Sequence, residues 1–255
     1  AEAQKYFNLG KGFIFSSSAE GGYIKSLGGG DIRLVDRWFL GEPDMRGFAI
    51  RGVGPRVLRV PYDTATGQYV SEKDNSVRDD ALGGRAYYQG RLELEIPLGA
   101  GGREMGLRPS FFVDAGSVFG VRKPQTIDPD RDAEGNIIPF DRGPLLDSNN
   151  NPLYVYSVTG SDGTVTTSYT TCQIGVQGSD GKCPTSGTVN AVARNTVNPF
   201  QERFVGDTWK PRLSIGFGVN WKSPFGPLRI DIAKALLKYR GDDTKLFSFN
   251  VGTQF

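Results

Sequence analysis

Few residues in this 255-residue chain have the types and spacing needed for chemistry. The chain has no His, which excludes His-dependent nucleophilic triads and His-ligated metal sites. Glu93 and Glu95 lie two residues apart, and paired carboxylates can support acid–base chemistry. Because Arg91, Arg108 and Arg229 also occupy polar positions of predicted strands, we interpret the group as a charge network. We therefore expect no enzymatic activity and no cofactor.

A second group of carboxylates has the spacing of a calcium-binding loop. In segment 130–141, acids occupy the first, third, fifth and twelfth positions, and Gly135 occupies the sixth. The twelfth residue of such a loop is normally a bidentate Glu, Pro139 interrupts the segment, and no helices flank it. We favour a solvated acidic turn and retain a weak metal candidate. Its residues are Asp130, Asp132, Glu134 and Asp141.

The two cysteines, Cys172 and Cys183, lie in one polar segment. Two thiols cannot form a four-thiolate zinc site. In an oxidising compartment, the natural interpretation is a local disulfide that closes a small loop, with two free thiols as the alternative.

The composition restricts the class of protein. A net charge of +2, from 30 basic and 28 acidic residues, argues against a nucleic-acid partner. Aromatic residues make up 11% of the chain, which indicates a folded protein. The mean hydropathy of −0.35 resembles that of a soluble protein, but a transmembrane barrel also averages to mildly polar because its strands alternate.

Strict alternation predicts the strands that carry these polar residues. In segment 212–222, every second residue from Leu213 to Trp221 is apolar, while the others are polar or Gly. Segments 87–97, 107–119, 228–233 and 247–255 alternate in the same way, and segment 11–24 does so more weakly. The apolar faces carry large aliphatic and aromatic groups, as in a lipid-facing band, and the polar faces carry charges and Gly, as in a wet lumen. A soluble β-sandwich is the alternative.

The connections favour the barrel over the sandwich. Segments 98–106 and 223–227 are short turns, whereas 25–84 and 120–209 are very long. Outer-membrane barrels combine short turns at one end with long loops at the other, and compact soluble domains rarely carry such loops. We therefore predict an all-β, antiparallel transmembrane barrel. Its parts are strands in 1–24, a long loop 25–84, two strands in 85–119, an extracellular insertion 120–209 and three strands in 210–255.

Ordered motifs in the chain resemble those of the BamA family of outer-membrane assembly factors. Asp44-Met-Arg-Gly-Phe48, followed by Gly54-Pro55, is similar to the family's loop motif, with Met45 in place of a β-branched residue. Further similar blocks follow in the same order and leave 120–209 as an insertion. They are Asp80–Gly84, Leu92-Glu93, Phe111–Gly116, Trp221–Leu228 and Phe247–Phe255.

The resemblance implies that the chain is the C-terminal part of a larger barrel, about six of roughly sixteen strands. The rest of that barrel and periplasmic POTRA repeats would precede it, so we expect that this polypeptide alone does not close a barrel. The resemblance also implies that the loop with Arg46 folds into the lumen. There Arg46 would meet Glu93 and Asp114, which share the polar face of adjacent strands, with Glu95 as the rival partner. Gly47 would allow a close turn and Phe48 would wedge against the wall.

The final strand is the second element that the resemblance marks as functional. In the family it forms a lateral seam with the first strand, where nascent strands are thought to pair. Its aromatic end also resembles the signal by which barrel proteins are recognised, or it is a girdle at the membrane interface. The residues concerned are Phe247, Phe249, Val251, Gly252 and Phe255.

The resemblance therefore implies a core subunit of the machinery that inserts barrel proteins into the bacterial outer membrane. Outer-membrane lipid, nascent β-barrel proteins and accessory lipoproteins are the expected partners. Within the family, the alternative is a TamA-like or two-partner secretion translocation factor. Outside the family, it is a passive porin or surface adhesin that binds through 120–209.

Overall fold

The computed structural model describes residues 1–99, 105–171, 188–223 and 226–251. These residues form β-structure with one short 3-10 turn at Leu34–Asp36. None of the helical segments in the described ranges is long and apolar enough to cross a membrane. The strands are β1 Glu2–Gly10, β2 Phe13–Tyr23, β3 Arg56–Asp63, β4 Gln68–Tyr69, β5 Arg78–Ala81, β6 Ala86–Glu95, β7 Leu107–Phe119, β8 Phe140–Pro144, β9 Tyr154–Thr159, β10 Val165–Thr170, β11 Thr188–Val192, β12 Arg194–Val197, β13 Phe200–Val205, β14 Arg212–Ser223, β15 Gly226–Leu237 and β16 Phe247–Val251.

One antiparallel sheet holds the strands that alternation predicts. Its order is β1-β2-β6-β7-β14-β15-β16, so neighbours in space follow chain order. The sheet has seven strands in the described residues, because segment 1–24 supplies two strands, β1 and β2, which pair from Glu2 to Gly10. An antiparallel sheet of strands in chain order is the arrangement of an up-and-down barrel wall.

The two faces of this sheet differ in burial, as the alternation requires. On β14, Ile215, Phe217 and Trp221 are exposed, while Arg212 and Ser214 are buried. Neighbouring β7 repeats the pattern, because the pairing of β14 with β7 places residues of the same parity side by side. We call the face with the buried polar residues the inner face. An outer face of large exposed apolar groups suits contact with lipid.

The chain divides into two compact units. The first comprises Ala1–Val60, Ser71–Thr126 and Glu202–Phe255, and the second comprises Pro61–Val70 and Ile127–Gln201. In the second unit, β10, β9 and β11 form a three-stranded sheet, and β12 pairs with β8. The sequence pattern does not predict these strands, because polar turn residues surround them and their alternation is short.

The segment between β2 and β6 also contains regular structure within the first unit. Part of β3 pairs with β5, from Arg56 opposite Ala81 to Arg59 opposite Arg78. Isolated bridges join Trp38 to Gly84 and Leu40 to Val53. These pairings lead the chain back across the inner face of the sheet, where the polar residues lie.

Candidate functional site

The candidate site is built around a loop that lies on the inner face. We call residues 40–55 the inner loop. The Leu40–Val53 bridge closes its base, and the amide of Met45 donates to the carbonyl oxygen of Gly41 at 2.8 Å. From the wall, Gln89 and Arg91 donate side-chain hydrogen bonds to the carbonyl oxygen of Asp44. The loop is therefore held by backbone and side-chain contacts just before Arg46.

Arg46 is buried between two carboxylates of the wall. Its Nε and Nη2 donate to the two oxygens of Asp114 at 2.8 and 2.6 Å, and its Nη1 donates to Glu93 at 2.8 Å. The backbone amide of Arg46 also donates to Asp114 at 3.1 Å. Arg46 is 2% exposed and Asp114 0%. The planar fork of a guanidinium suits this bidentate contact, which a Lys could not reproduce.

An aromatic ring of the sheet stacks against the guanidinium of Arg46. The Cζ of Arg46 lies 3.4 Å from the centroid of the Phe112 ring. Gly216 on β14 makes room for that ring, because a Cβ there would lie 2.4 Å from the ring's Cζ atom. Phe112 lies on the inner face together with Ser110 and Asp114, as the alternation of residues along the strand predicts. Cation–π stacking in a desolvated place adds to the ion pairs.

The pair belongs to a larger network of charges. Arg229 on β15 donates to Glu93 at 3.0 Å and to Asp231 at 2.9 Å. Arg91 lies 3.6 Å from Asp114. Three guanidinium groups therefore face three carboxylates, so the network is neutral as a whole. Burial of charge is tolerable in such a balanced, hydrogen-bonded group. The rival acid Glu95 instead faces Arg108 at 3.7 Å.

Apolar contacts fix the rest of the inner loop. Phe48 is fully buried in a cluster with other apolar residues of the loop and wall. Met45, which stands where the similar loop motif has a β-branched residue, is also fully buried in this cluster. Gly47 has φ +85°, and a Cβ there would lie 3.1 Å from Ser214 and 3.2 Å from Ala233. The cluster comprises Leu40, Met45, Phe48, Val53 and Val118, with Tyr87 and Ala235 packed against it.

The last two residues of the predicted loop motif also approach the wall closely. Gly54 has φ +110°, and a Cβ there would lie 2.3 Å from a methyl group of Val118. Pro55 is fully buried, and its carbonyl oxygen accepts from the amide of Leu82 at 2.8 Å. A side chain at position 54 would therefore push the loop away from β7.

A second buried ion pair was not identified from the sequence. Arg212 on β14 donates from Nε and Nη2 to Asp242 at 3.0 Å each, and both side chains are 0% exposed. The same guanidinium donates to Ser117 Oγ and to the carbonyl oxygens of Gly206 and Thr208. The inward parity of Arg212 was visible in the sequence, but its partner lies in a loop that has no periodicity.

The final strand lies at the edge of the sheet. β16 pairs with β15 over five residues, from Phe247 opposite Ile232 to Val251 opposite Leu228. Phe247, Phe249 and Val251 are exposed on the outer face. Gly252 and Phe255 lie outside the described residues, so the proposed C-terminal signal stays a prediction.

Among the described residues no three acids, His or Cys are close enough to hold a metal, so the weak metal candidate gains no support. Asp132 accepts from the amides of Glu134 and Asn136 within its own turn, and Asp141 pairs with Arg194. Pro139 and the start of β8 lie between these two acids. Cys172 and Cys183 lie outside the described residues, so their disulfide stays a prediction.

A third charged group lies outside the membrane-spanning strands. The carboxylate of Glu72 accepts from Arg240 Nε at 2.9 Å and from Arg203 Nη1 at 2.8 Å. The hydrogen bond from Arg240, supported by Arg203, outweighs partial burial and lowers the pKa of Glu72 to about 2. The group ties segment 71–74 to the loop that precedes β16.

Glu72 is expected to make stability depend on pH. Because its folded pKa lies below the unfolded value, its contribution is full above the unfolded pKa and is lost as pH falls from about 5 to 2. The unfolding temperature of the full-length protein should therefore exceed that of Glu72→Gln at neutral pH, and the gap should close at low pH. Glu134→Gln, at an exposed turn, is the matched control. A gap that does not change with pH would contradict the assignment.

Comparisons with known proteins identify relatives of this chain. The model of the Omp85 superfamily domain matches residues 1–255. The outer membrane protein assembly factor BamA of Neorickettsia risticii (strain Illinois) is 24% identical over 95% of this chain. The sorting and assembly machinery component 50 homolog of Bos taurus is 34% identical over 41% of it. The chain spans 20% and 19% of the length of these two relatives.

A solved structure has the same fold. It is the crystal structure of BamA from Haemophilus ducreyi lacking POTRA domains 1-3, which superposes with a TM-score of 0.52 at 19% sequence identity. The superposition covers 97% of this chain and 33% of the other. At this identity the likeness shows the fold alone.

Proposed function

Because this chain belongs to the Omp85 superfamily, we propose that the protein is the barrel part of a machine that folds and inserts β-barrel proteins into the bacterial outer membrane. The observation that carries the proposal is the inner loop, fixed on the wall by Arg46, Glu93 and Asp114. The network is costly to desolvate, which favours a role in holding one conformation.

The proposed work is the pairing of strands. β16 pairs with β15, and in the described part of the chain its other edge carries no strand. An edge with unpaired N–H and C=O groups can template an incoming strand by β-augmentation. Completion of the backbone ladder and burial of apolar side chains in lipid would drive the insertion. No covalent chemistry is needed for this cycle.

The partners follow from the same proposal. The exposed apolar outer face suits outer-membrane lipid, and the edge of β16 suits an unfolded barrel protein. The remaining strands of the barrel, periplasmic repeats and accessory lipoproteins would complete the machine. Segment 120–209 lies between β7 and β14 in the chain, and its described strands are not part of the seven-stranded sheet.

An insertion assay tests the proposal. The full-length protein in liposomes should convert a urea-denatured outer-membrane barrel protein to its protease-resistant, heat-modifiable form several-fold faster than empty liposomes do. Liposomes with an unrelated porin at equal protein density are the matched control, because they carry the same perturbation of the bilayer. Equal rates in all three preparations would refute the insertase role, and ion conductance without insertion would favour a porin.

A further inference from the structure

Glu42 is a buried carboxylate that the Arg46 network does not use. The residue is 7% exposed and lies at the start of the inner loop. Its Oε2 accepts from Lys245 Nζ at 2.8 Å, and its Oε1 accepts from Asn250 Nδ2 at 3.4 Å. Lys245 precedes β16 and Asn250 lies within it. The side chain therefore joins the inner loop to the terminal strand.

Backbone contacts run beside this side-chain link. The amide of Lys245 donates to the carbonyl oxygen of Gly47 at 3.2 Å, and the amide of Ala49 donates to that of Asp243 at 3.0 Å. Phe48 and Thr244 form an antiparallel bridge. The inner loop therefore pairs through its backbone with the segment that leads into β16.

This attachment adds to the pairing of β16 with β15. The five residues of β16 that the structure describes all pair with β15. Ser248 and Asn250 point inward, and Asn250 is the inward residue that meets Glu42. Strands at the edge of a sheet open locally more readily than central strands, so a contact on the inner side of β16 is expected to slow its opening.

The carboxylate of Glu42 depends on Lys245 for charge compensation. The side chain of Glu42 is 4% exposed, whereas that of Lys245 is 47% exposed. A carboxylate at that depth is costly unless it is paired, so departure of the terminal segment would leave Glu42 unpaired. Asp44 lies two residues further along the same loop and is exposed. Glu42 and Asp44 therefore lie in the same loop, but only Glu42 is buried.

We propose that Glu42 is a positioning residue that ties the last strand to the inner loop, so that the seated loop holds β16 in place. This inference rests on the proposed function, because it concerns the strand at which substrate would pair. Its consequence is that the edge of β16 becomes free to move only when the inner loop shifts. The Arg46 network and the edge of the sheet are thereby coupled through Glu42.

Hydrogen exchange of the full-length protein in lipid nanodiscs, without substrate, tests the link. The variants are Glu42→Lys, Lys245→Glu and the double exchange of the two charges. Each single variant should speed exchange of the 247–251 amides about tenfold, a local opening effect. The double exchange should restore the slow rate. Asp44→Lys makes the same change of charge in the same loop and should leave β16 unchanged.

The outcomes separate the link from a general role in folding. If the Glu42→Lys variant loses heat-modifiability, the experiment uses the Glu42→Gln variant instead. That variant should speed amide hydrogen exchange in β16 but not in β7. Unchanged exchange in the single variants, or no rescue by the double exchange, would overturn the link. The insertion assay on the wild type is independent of this result, so a failed link leaves the proposed function standing. A failed insertion assay would leave the structural link to be judged by exchange alone.

Discussion

Replacement of Arg46 by Ala is expected to release the inner loop from the wall. The change removes three side-chain hydrogen bonds to Asp114 and Glu93 and leaves both carboxylates buried beside fewer cations. Breaking a buried ion pair by removal of one partner costs about 3–5 kcal/mol. Trypsin cleavage after Arg51, an exposed residue of the inner loop, should become much faster in the folded full-length protein. Insertion activity should fall with it.

Two further variants give this prediction its controls. Arg108→Ala removes a cation of the same wall whose side chain is 55% exposed, so it should change the cleavage little. Arg46→Lys keeps the charge but loses the fork, and its cleavage rate should lie between those of the wild type and Arg46→Ala. Wild-type cleavage in Arg46→Ala would contradict the role of Arg46 in holding the loop.

Replacement of Arg212 by Met is expected to lower the stability of the sheet as a whole. Arg212 satisfies Asp242, Ser117 and two backbone carbonyl oxygens while it is fully buried. Its loss leaves Asp242 as an uncompensated buried charge, at a cost of about 3–5 kcal/mol. The temperature at which the full-length protein loses its heat-modifiable, compact form should fall clearly.

The double variant tests the cause of that loss. In Arg212→Met with Asp242→Asn, the orphan charge is gone, so part of the lost stability should return. Arg78→Met, at an exposed position of β5, serves as the control for the loss of one cation. A double variant that is less stable than the sum of the two single variants would show that the ion pair is not the source of the effect.

The two ion pairs hold different parts of the inner loop. Arg46, in the middle of the loop, binds the wall, and Asp242 accepts from the amide of Gly54 near the end of the loop at 3.5 Å. Loss of either should loosen the loop, but Arg212 also joins β14 to the loop before β16. We therefore expect Arg46→Ala to affect insertion more than stability, and Arg212→Met to affect both.

Much of the wall could be predicted from alternation. Strand β7 spans the predicted 107–119, and β14 extends the predicted 212–222 by one residue. Alternation also assigned Glu93 and Asp114 to one face, and the β6–β7 register places them there in neighbouring strands. The prediction worked because the period of a strand is two, so parity alone decides the face of each residue.

Other parts could not be predicted, because no period marks them. Strands β8 to β12 are short and lie among Asp, Asn and Gly turns, where local pattern is weak. The pairing of Asp141 with Arg194 depends on the partner strand β12, which the calcium-like spacing of segment 130–141 cannot indicate. The contact between Glu42 and Lys245 joins residues 203 positions apart, which no local signal can indicate.

The sequence by itself determined the class of this protein: the alternating faces, the position of its last strand and the loop motif around Arg46. Only the tertiary structure decided which charges meet. Parity assigns a side chain to a face, but the path of a loop across that face and the register between strands select its partner. The buried ion pairs of Arg46 and Arg212 each join a wall strand to a loop, and Glu42 joins the inner loop to Lys245 before β16 and to Asn250 within it. Their geometry therefore exists only when both the sheet and the loop are in place.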